Sequence, residues 1–364
     1  MSGRGCDLVV VGGGPAGLAV AIRARQAGLS VVVLEARTPP VDQACGEALM
    51  PDGAALLEEM GVKPAVSVPF GGIRYLDGEV TAAGRFSGRA GLGVRRVVLH
   101  RALSERASRL GADLRWGVRV SGLAEDGVEV GSEVVRAAWV VAADGRHSRL
   151  RAWAGLAPEP PPGQRFGVRR HYRIAPWTDM VEVYWEQGCE AYVTPVAPDQ
   201  VGVAMIWSGR GAGFDQLIAR VPALHARLDG AAAASRDAGA GPFGSRASAV
   251  ARGRVALVGD AATVMVASVA LGIAVDNTAH LLERVRHNRA SGAAMRDVVA
   301  TALRQVDPAM VVTTTTAVVG FLSLAFSSFV PIRDFGLLAA AAMVVALAGD
   351  ALLVPAMLVL TEWR

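Results

Sequence analysis

Residues Asp7–Glu35, DLVVVGGGPAGLAVAIRARQAGLSVVVLE, restrict the fold more than any other stretch of this chain. They predict a strand over Leu8–Val11, a tight glycine turn, a helix over Pro15–Ala27 and a second strand over Ser30–Leu34 ending on an acid. Gly12, Gly14 and Gly17 carry the dinucleotide spacing, with Ala16 among them. In that spacing the first glycine bends the chain, the second lets backbone approach a pyrophosphate, and the third lets helix and strand pack closely. The helix N-terminus then faces the phosphates. Glu35, eighteen residues past Gly17, stands where a carboxylate accepts hydrogen bonds from ribose hydroxyls, with Arg37 beside it. The competing reading, a glycine turn that binds nothing, needs the apolar strand, the alanine-rich helix and the terminal acid to coincide without purpose.

A chain of 364 residues holds about two domains. Charged residues make up only 19%, so part of the chain is expected to lie away from water. The net charge of +4 does not indicate nucleic acid: of 37 basic residues only Lys63 is lysine, and the arginines are scattered rather than striped. Cys6, Cys45 and Cys189 are odd in number and far apart, which indicates neither a disulfide framework nor a metal knuckle. Met1–Asp7 has no apolar core of a signal peptide, so the N-terminal domain is expected in the cytosol.

Beyond Glu35, Cys45-Gly46-Glu47 precedes a predicted helix around Gly53–Met60. Residues 72–97 alternate as strands, Leu99–Leu110 has helical spacing, and Trp139–Ala143 is an apolar run ending in Asp144-Gly145. The proline-rich stretch 156–163 marks a boundary. Strands follow over Gly167–Ile174, Met180–Trp185, Glu190–Thr194 and Val201–Trp207, then a helix over Phe214–Leu228. Residues 230–241, rich in Ala and Gly, read as a flexible linker. Arg254–Val258 is a last strand, ending in Gly259-Asp260.

Over about residues 5–262 these motifs resemble the flavoprotein oxidoreductases of the aromatic-hydroxylase and geranylgeranyl-reductase type. Besides the glycine fingerprint, the chain has Asp144-Gly145 with Ser148 and Arg151 in register, and VALVGDAA with Gly259 and Asp260. The resemblance implies an α/β fold, a Rossmann-like FAD-binding domain with an inserted β-rich substrate domain. It implies FAD as cofactor and Asp260 as acceptor for the ribityl chain. Arg101, read as opening a helix after a strand Val97–Leu99, matches the family's cofactor-contacting arginine. NAD(P)H is implied only as a transient electron donor, since no second glycine fingerprint is present. FAD-binding segments are expected over 1–71, 98–163 and 246–290, with substrate-domain segments over 72–97 and 164–245.

On the substrate side, Cys45-Gly46-Glu47 resembles the reductases' CGxG segment beside the flavin; the alternative is a turn with an inert thiol. Ala191–Pro195 resembles their YxWxFP segment, keeping Tyr192 and Pro195 but lacking its Trp and Phe. Cys45 and Tyr192 are thus the candidates for catalysis, Tyr192 equally a packed strand residue. Arg169, Arg170 and His171 read as a solvated strand edge or as contacts for an acidic substrate. No metal site is expected.

Met310–Phe329 carries no charge over a length of about 30 Å, and Phe335–Leu360 is interrupted only by Asp350. With the five-residue connection Val330–Asp334 they predict a membrane hairpin within 291–364. Residues 264–360 resemble the last membrane segments of RND/MMPL-type exporters through Gly272–Leu282, Thr313–Gly336 and Asp350–Leu360. In such exporters an Asp at the position of Asp276 belongs to a proton relay, but the partners of a relay are missing here. Arginines over 283–309 place that segment in the cytosol and the 330–334 turn outside. The segment 264–282 either spans the membrane or packs as a substitute floor for the flavin.

These features predict a membrane-tethered FAD-dependent oxidoreductase at the inner membrane, with its flavin domain in the cytosol. It would act on an apolar or polyketide-like small molecule, beside exporter or biosynthetic partner proteins. The alternatives are an inactive fusion of a truncated flavoprotein with a truncated exporter, or an exporter fragment.

Overall fold

The computed structural model describes residues 5–156, 165–209, 211–243, 249–262 and 294–304, the strand pair Pro158–Glu159 with Arg246–Ala247, and positions 341 and 344. In chain order its first principal elements are β1 (Cys6–Val11), α1 (Pro15–Gln26), β2 (Val31–Glu35), α2 (Pro51–Met60), β3 (Gly72–Asp77), β4 (Val80–Arg85), α3 (Arg96–Arg109) and β5 (Asp113–Trp116). Next come β6 (Glu133–Ala142), α4 (Arg149–Trp153), β7 (Arg165–Arg173), β8 (Val181–Glu186), β9 (Cys189–Ala197) and β10 (Gln200–Ser208). Last are α5 (Phe214–Ile218), α6 (Pro222–Arg227), β11 (Ala238–Phe243) and β12 (Val255–Leu257).

Strand β1 is buried on both faces, which is why it is a continuous apolar run rather than an alternating one. Leu8 and Val10 pack with Leu18, Ile22, Leu99 and Leu103. Val9 and Val11 pack on the other side with Val140, Leu150 and Leu257. Helix α1 starts with Pro15, whose missing N–H would be unpaired there anyway. Its Leu18 and Ile22 are fully buried, each contributing about 1.5–3 kcal/mol by removal from water. Strands β12, β6, β1, β2 and β5 lie side by side in that order, all parallel. This is the Rossmann-like sheet.

A second sheet has the order β7-β10-β9-β8-β3-β4, antiparallel except where β8 meets β3. One face packs Tyr172, Val193, Val203 and Met205 against α5 and α6. The other carries Arg169, His171, Tyr192 and Thr194, which alternate with those core residues along β7 and β9.

Three expectations need correction. Residues 97–99 are not a strand but the first turn of α3: Leu99, Ala102, Leu103 and Ala107 share a buried face, and that packing overrides the β preference of Val97-Val98. The helix expected over Phe214–Leu228 is two, α5 and α6, with Pro222 beginning the second. The linker at 230–241 is largely sheet: Ala232–Ala233 and β11 both pair with β7. Its small residues permit close approach, because a Cβ on Gly241 would lie 2.6 Å from the Phe166 ring.

Residues 266–364 form a separate unit. Within it residues 295–304 are helical and bury Val298, Val299 and Ala302 while Arg296 and Asp297 are exposed. Among the described residues no helix is long and apolar enough to cross a membrane. The segment 264–282 and the runs 310–329 and 335–360 lie outside the described residues.

Candidate functional site

Leu34, Val11, Ala142 and Leu257 form one row across four parallel strands. Within two residues of that row the strands deliver Glu35, Gly12, Asp144 and Gly259 to the same carboxyl edge of the sheet. That edge is where open α/β sheets bind ligands. Motifs separated by more than a hundred residues in sequence are thereby neighbours.

The glycines divide by purpose. Gly12 has φ +109°, and a Cβ there would overlap the Ala143 carbonyl. A Cβ on Gly17 would overlap the Gly12 carbonyl, and one on Gly13 would lie 2.7 Å from the Trp116 ring. Gly14 differs: it is the N-cap of α1, with extended backbone, and among the described residues a Cβ there would meet only Arg96 Nη2, at 3.6 Å. The chain's own packing requires Gly12 and Gly17, whereas Gly14 leaves a cradle open at a helix N-terminus. Ala16, in the first turn of α1, lies 2.8 Å from where a Cβ on Gly259 would stand, so the glycine turn and the Gly259 turn are neighbours.

Glu35 is only 4% exposed. Its Oε2 accepts from the Gly13 N–H at 2.8 Å, and its Oε1 from the Arg37 N–H and Nε, each at 3.0 Å. Burial would raise its pKa, but the Arg37 and Gly13 hydrogen bonds and the Arg37 charge hold it below the usual carboxylate range. The carboxylate keeps acceptor capacity for a ribose, since two oxygens offer about four lone-pair sites.

Asp144 Oδ2 accepts from the Arg149 and Leu150 N–H groups, while its buried Oδ1 has no partner among the described residues. Gly145 takes φ +83° in this turn. Ser148 caps α4 by accepting from the Arg151 N–H at 3.0 Å. Arg151 is buried and donates to the carbonyls of Ala261 and Arg146, tying the Asp144-Gly145 turn to the Gly259–Ala261 turn. Asp260 itself is exposed at that edge.

Arg101 does not open α3. It sits in the second turn of α3, exposed, because the helix begins five residues earlier than its assignment needs. The arginine at the cradle is Arg96, whose Nε is buried without a partner among the described residues. The spacing of Leu99 and Leu103 after Arg96 was the signal available for it. His100 was missed as well: fully buried, its Nε2 lies 2.9 Å from the Gly13 carbonyl. An open cradle, an unpartnered Asp144 oxygen and an unpartnered Arg96 nitrogen together fit a phosphorylated dinucleotide.

The model of the FAD binding domain family matches residues 5–282, which is 278 of the 364 residues. The chain belongs to this FAD binding domain family. It is similar to a rifampicin monooxygenase of Streptomyces venezuelae, 34% identical over 171 residues, covering 42% of this chain and 34% of the relative. It is also similar to a digeranylgeranylglycerophospholipid reductase of Methanopyrus kandleri, 34% identical over 172 residues, covering 42% of this chain and 43% of the relative. The chain thus spans less than half the length of either. A flavoprotein/dehydrogenase from Cytophaga hutchinsonii shares the fold at a TM-score of 0.65 and 17% identity, covering 94% of each chain. The MMPL family model matches residues 242–363.

In this FAD-binding chain Tyr192 lies on the face of the second sheet opposite α5 and α6, and Cys45 lies in the loop whose Gly46 carbonyl accepts from Thr194 Oγ1 on that face. Cys45 is half-buried; burial and then the charge of Glu47 push its thiol pKa up, which disfavours a thiolate nucleophile. The Tyr192 hydroxyl donates to Glu190 Oε2 at 2.6 Å, and Arg165 pairs with the other oxygen of Glu190. Burial and Glu190 raise the Tyr192 pKa, so the phenol stays protonated. Neither residue is set up as a base.

The reading of 169–171 as a solvated edge also needs correction. Arg169 is 2% exposed and His171 is fully buried, because alternation on β7 turns both inward. Their partner is Glu47, a residue singled out only as part of the Cys45-Gly46-Glu47 segment. Glu47 Oε1 accepts from Arg169 Nη1 at 2.8 Å and Glu47 Oε2 lies 2.6 Å from His171 Nε2. Asp42 accepts from both terminal nitrogens of Arg169. Only Arg170 points to the opposite face, paired with Asp237 and Asp215 over the Phe214 ring. Among the described residues no group of His, Cys, Asp and Glu could hold a metal ion.

Proposed function

We propose that this chain is an FAD-dependent monooxygenase acting on a small apolar or polyketide-like molecule, with NAD(P)H as transient electron donor. The observation that carries the cofactor half is the single row Leu34–Val11–Ala142–Leu257, which brings the three motifs to one sheet edge. Similarity to a monooxygenase supports the oxygen chemistry. Bound FAD supplies the redox chemistry, carrying electrons between donor, dioxygen and substrate.

The chain's own residues supply binding and orientation. Gly12, Gly14 and Gly17 with the N-terminus of α1 receive the pyrophosphate, and Arg96 neutralises it. Glu35 accepts from the ribose, and Asp260 from the ribityl chain. Asp144 and Gly145 shape the edge between them. On the second sheet, Tyr192, Trp185 and Tyr75 offer an aromatic surface, with Tyr75 and Trp185 centroids 5.3 Å apart. Residues 310–360 tether the enzyme to a membrane, a reading supported by the charge-free run at 310–329 and by the MMPL similarity.

A second reading, reduction of an unsaturated lipid, is favoured by the Cys45-Gly46-Glu47 segment and its packing against β9, where Thr194 Oγ1 donates to the Gly46 carbonyl at 2.7 Å. Purified full-length chain in detergent should show stoichiometric flavin absorbance and consume dioxygen with NAD(P)H and substrate. A flavin-free aggregate would sink the proposal. Anaerobic substrate reduction without dioxygen uptake would replace it by the second reading.

A further inference from the structure

Helix α3 has no cap of its own. Arg95 is the N-cap residue and makes no side-chain cap hydrogen bond. The first N–H groups of a helix need acceptors. One comes from far away in sequence: Glu47 Oε1 accepts from the Arg96 N–H at 2.7 Å. Two residues earlier the Val94 N–H donates to the Glu47 carbonyl at 3.0 Å. Residue 47 therefore staples the entry of α3 through its backbone and its side chain together. A carboxylate at this end also complements the helix dipole.

Glu47 is held in turn from the second sheet. Arg169 and His171 on β7 occupy its two oxygens, and Asp42 holds Arg169 from outside. Its backbone is left-handed, with φ 58°; it is the only non-glycine with positive φ among the described residues. Strain of this kind persists where surrounding contacts over-determine it, and it clusters at functional sites. The residue fixed by this arrangement is Arg96, whose guanidinium borders the Gly14 cradle and whose Nε is buried without a partner among the described residues.

We propose that Glu47 is a positioning residue for FAD: locked by Arg169 and His171, it sets the first turn of α3 and so holds the Arg96 guanidinium at the Gly14 cradle. The inference rests on the reading of that cradle as the FAD pyrophosphate site. Its consequence is that FAD affinity depends on a carboxylate whose oxygens are engaged by Arg96, Arg169 and His171, and on the sheet that grips it.

The test is FAD titration of the full-length apoprotein in detergent, followed by flavin fluorescence, alongside the melting temperature of the apoprotein. Glu47→Ala should weaken FAD binding by about ten-fold or more. Glu47→Gln keeps an oxygen for the Arg96 N–H and should recover affinity to within about three-fold of wild type. In an Arg96→Met background, Glu47→Ala should add no further loss, since both act through one guanidinium. A Glu47→Ala affinity within about two-fold of wild type overturns the proposal, as does a full additive loss in the double variant. If Glu47→Ala does not fold, Asp42→Asn decides: it loosens Arg169 from an exposed position, and unchanged FAD affinity overturns the proposal. Failure of the wild-type chain to bind FAD would refute the cofactor reading and this inference with it; binding by wild type with no effect at Glu47 would refute this inference alone.

Discussion

His100 Nε2 lies 2.9 Å from the carbonyl oxygen of Gly13, so a side chain on α3 pins the middle of the glycine turn between β1 and α1. Trp116 closes over the pair, with its ring centroid 5.6 Å from that of His100. The carbonyl can only accept, so His100 must carry its proton on Nε2 when neutral.

Burial lowers the His100 pKa, outweighing the opposite pull of the Gly13 carbonyl. The folded chain thus takes up the proton at lower pH than the unfolded chain, whose histidine titrates near about 6.5. The stability His100 provides is complete above that value and falls as pH drops through the folded value. His100→Gln, which keeps a donor but does not titrate, should lose less stability than wild type between pH 7 and about pH 5. Parallel pH dependence of the two denaturation midpoints would contradict this.

Gly14 and Gly17, three positions apart, separate open space from packing. Gly17→Ala drives a methyl into the Gly12 carbonyl and should destabilise the fold by several kcal/mol, seen as a collapsed melting transition. Among the described residues Gly14→Ala meets only Arg96, at 3.6 Å, so the melting temperature of the apoprotein should hardly change while FAD retention falls. Equal damage to folding by both substitutions would show that the cradle is not open.

Asp260→Ala removes an exposed carboxylate from the sheet edge. Folding should be unaffected, within about 0.5 kcal/mol, and flavin content after purification should drop. Full retention of flavin would mean that Asp260 has no part in the site.

Cys45 should behave as an inert thiol. Burial and the neighbouring Glu47 charge raise its pKa, so alkylation at pH 7 should be slower than for a free cysteine and accelerate only in alkaline solution. Cys45→Ser should retain turnover. Rapid modification at neutral pH, with loss of activity, would restore it as a catalytic candidate.

Topology tests the tether. A reporter inserted at residue 332 should be exposed outside the membrane and one at the C-terminus inside. A cytosolic signal from residue 332 would end the hairpin reading.

Much of the candidate edge was legible before folding because each of its parts is local. Gly12 to Gly17, Asp144 with Gly145, and Gly259 with Asp260 are short turns whose residue types state their own conformational demands. Arg101 against Arg96 shows where that legibility stops. Choosing between them requires the start of α3, and Val97-Val98 favours a strand until packing on α1 is counted. The Ala/Gly stretch at 230–241 failed for the same reason, its small residues serving β7 rather than flexibility.

By itself the sequence determined the β1–α1–β2 unit, the three edge motifs and hence the FAD-binding family, since these rest on contacts between near neighbours. Only the tertiary structure decided that Glu47 caps α3, that Arg169 and His171 face inward to hold it, and that His100 pins Gly13. Those pairs lie 49, 122, 124 and 87 residues apart. Pairings at such separations are set by which strand faces and helix ends the packed sheets bring together, not by residue type or local spacing.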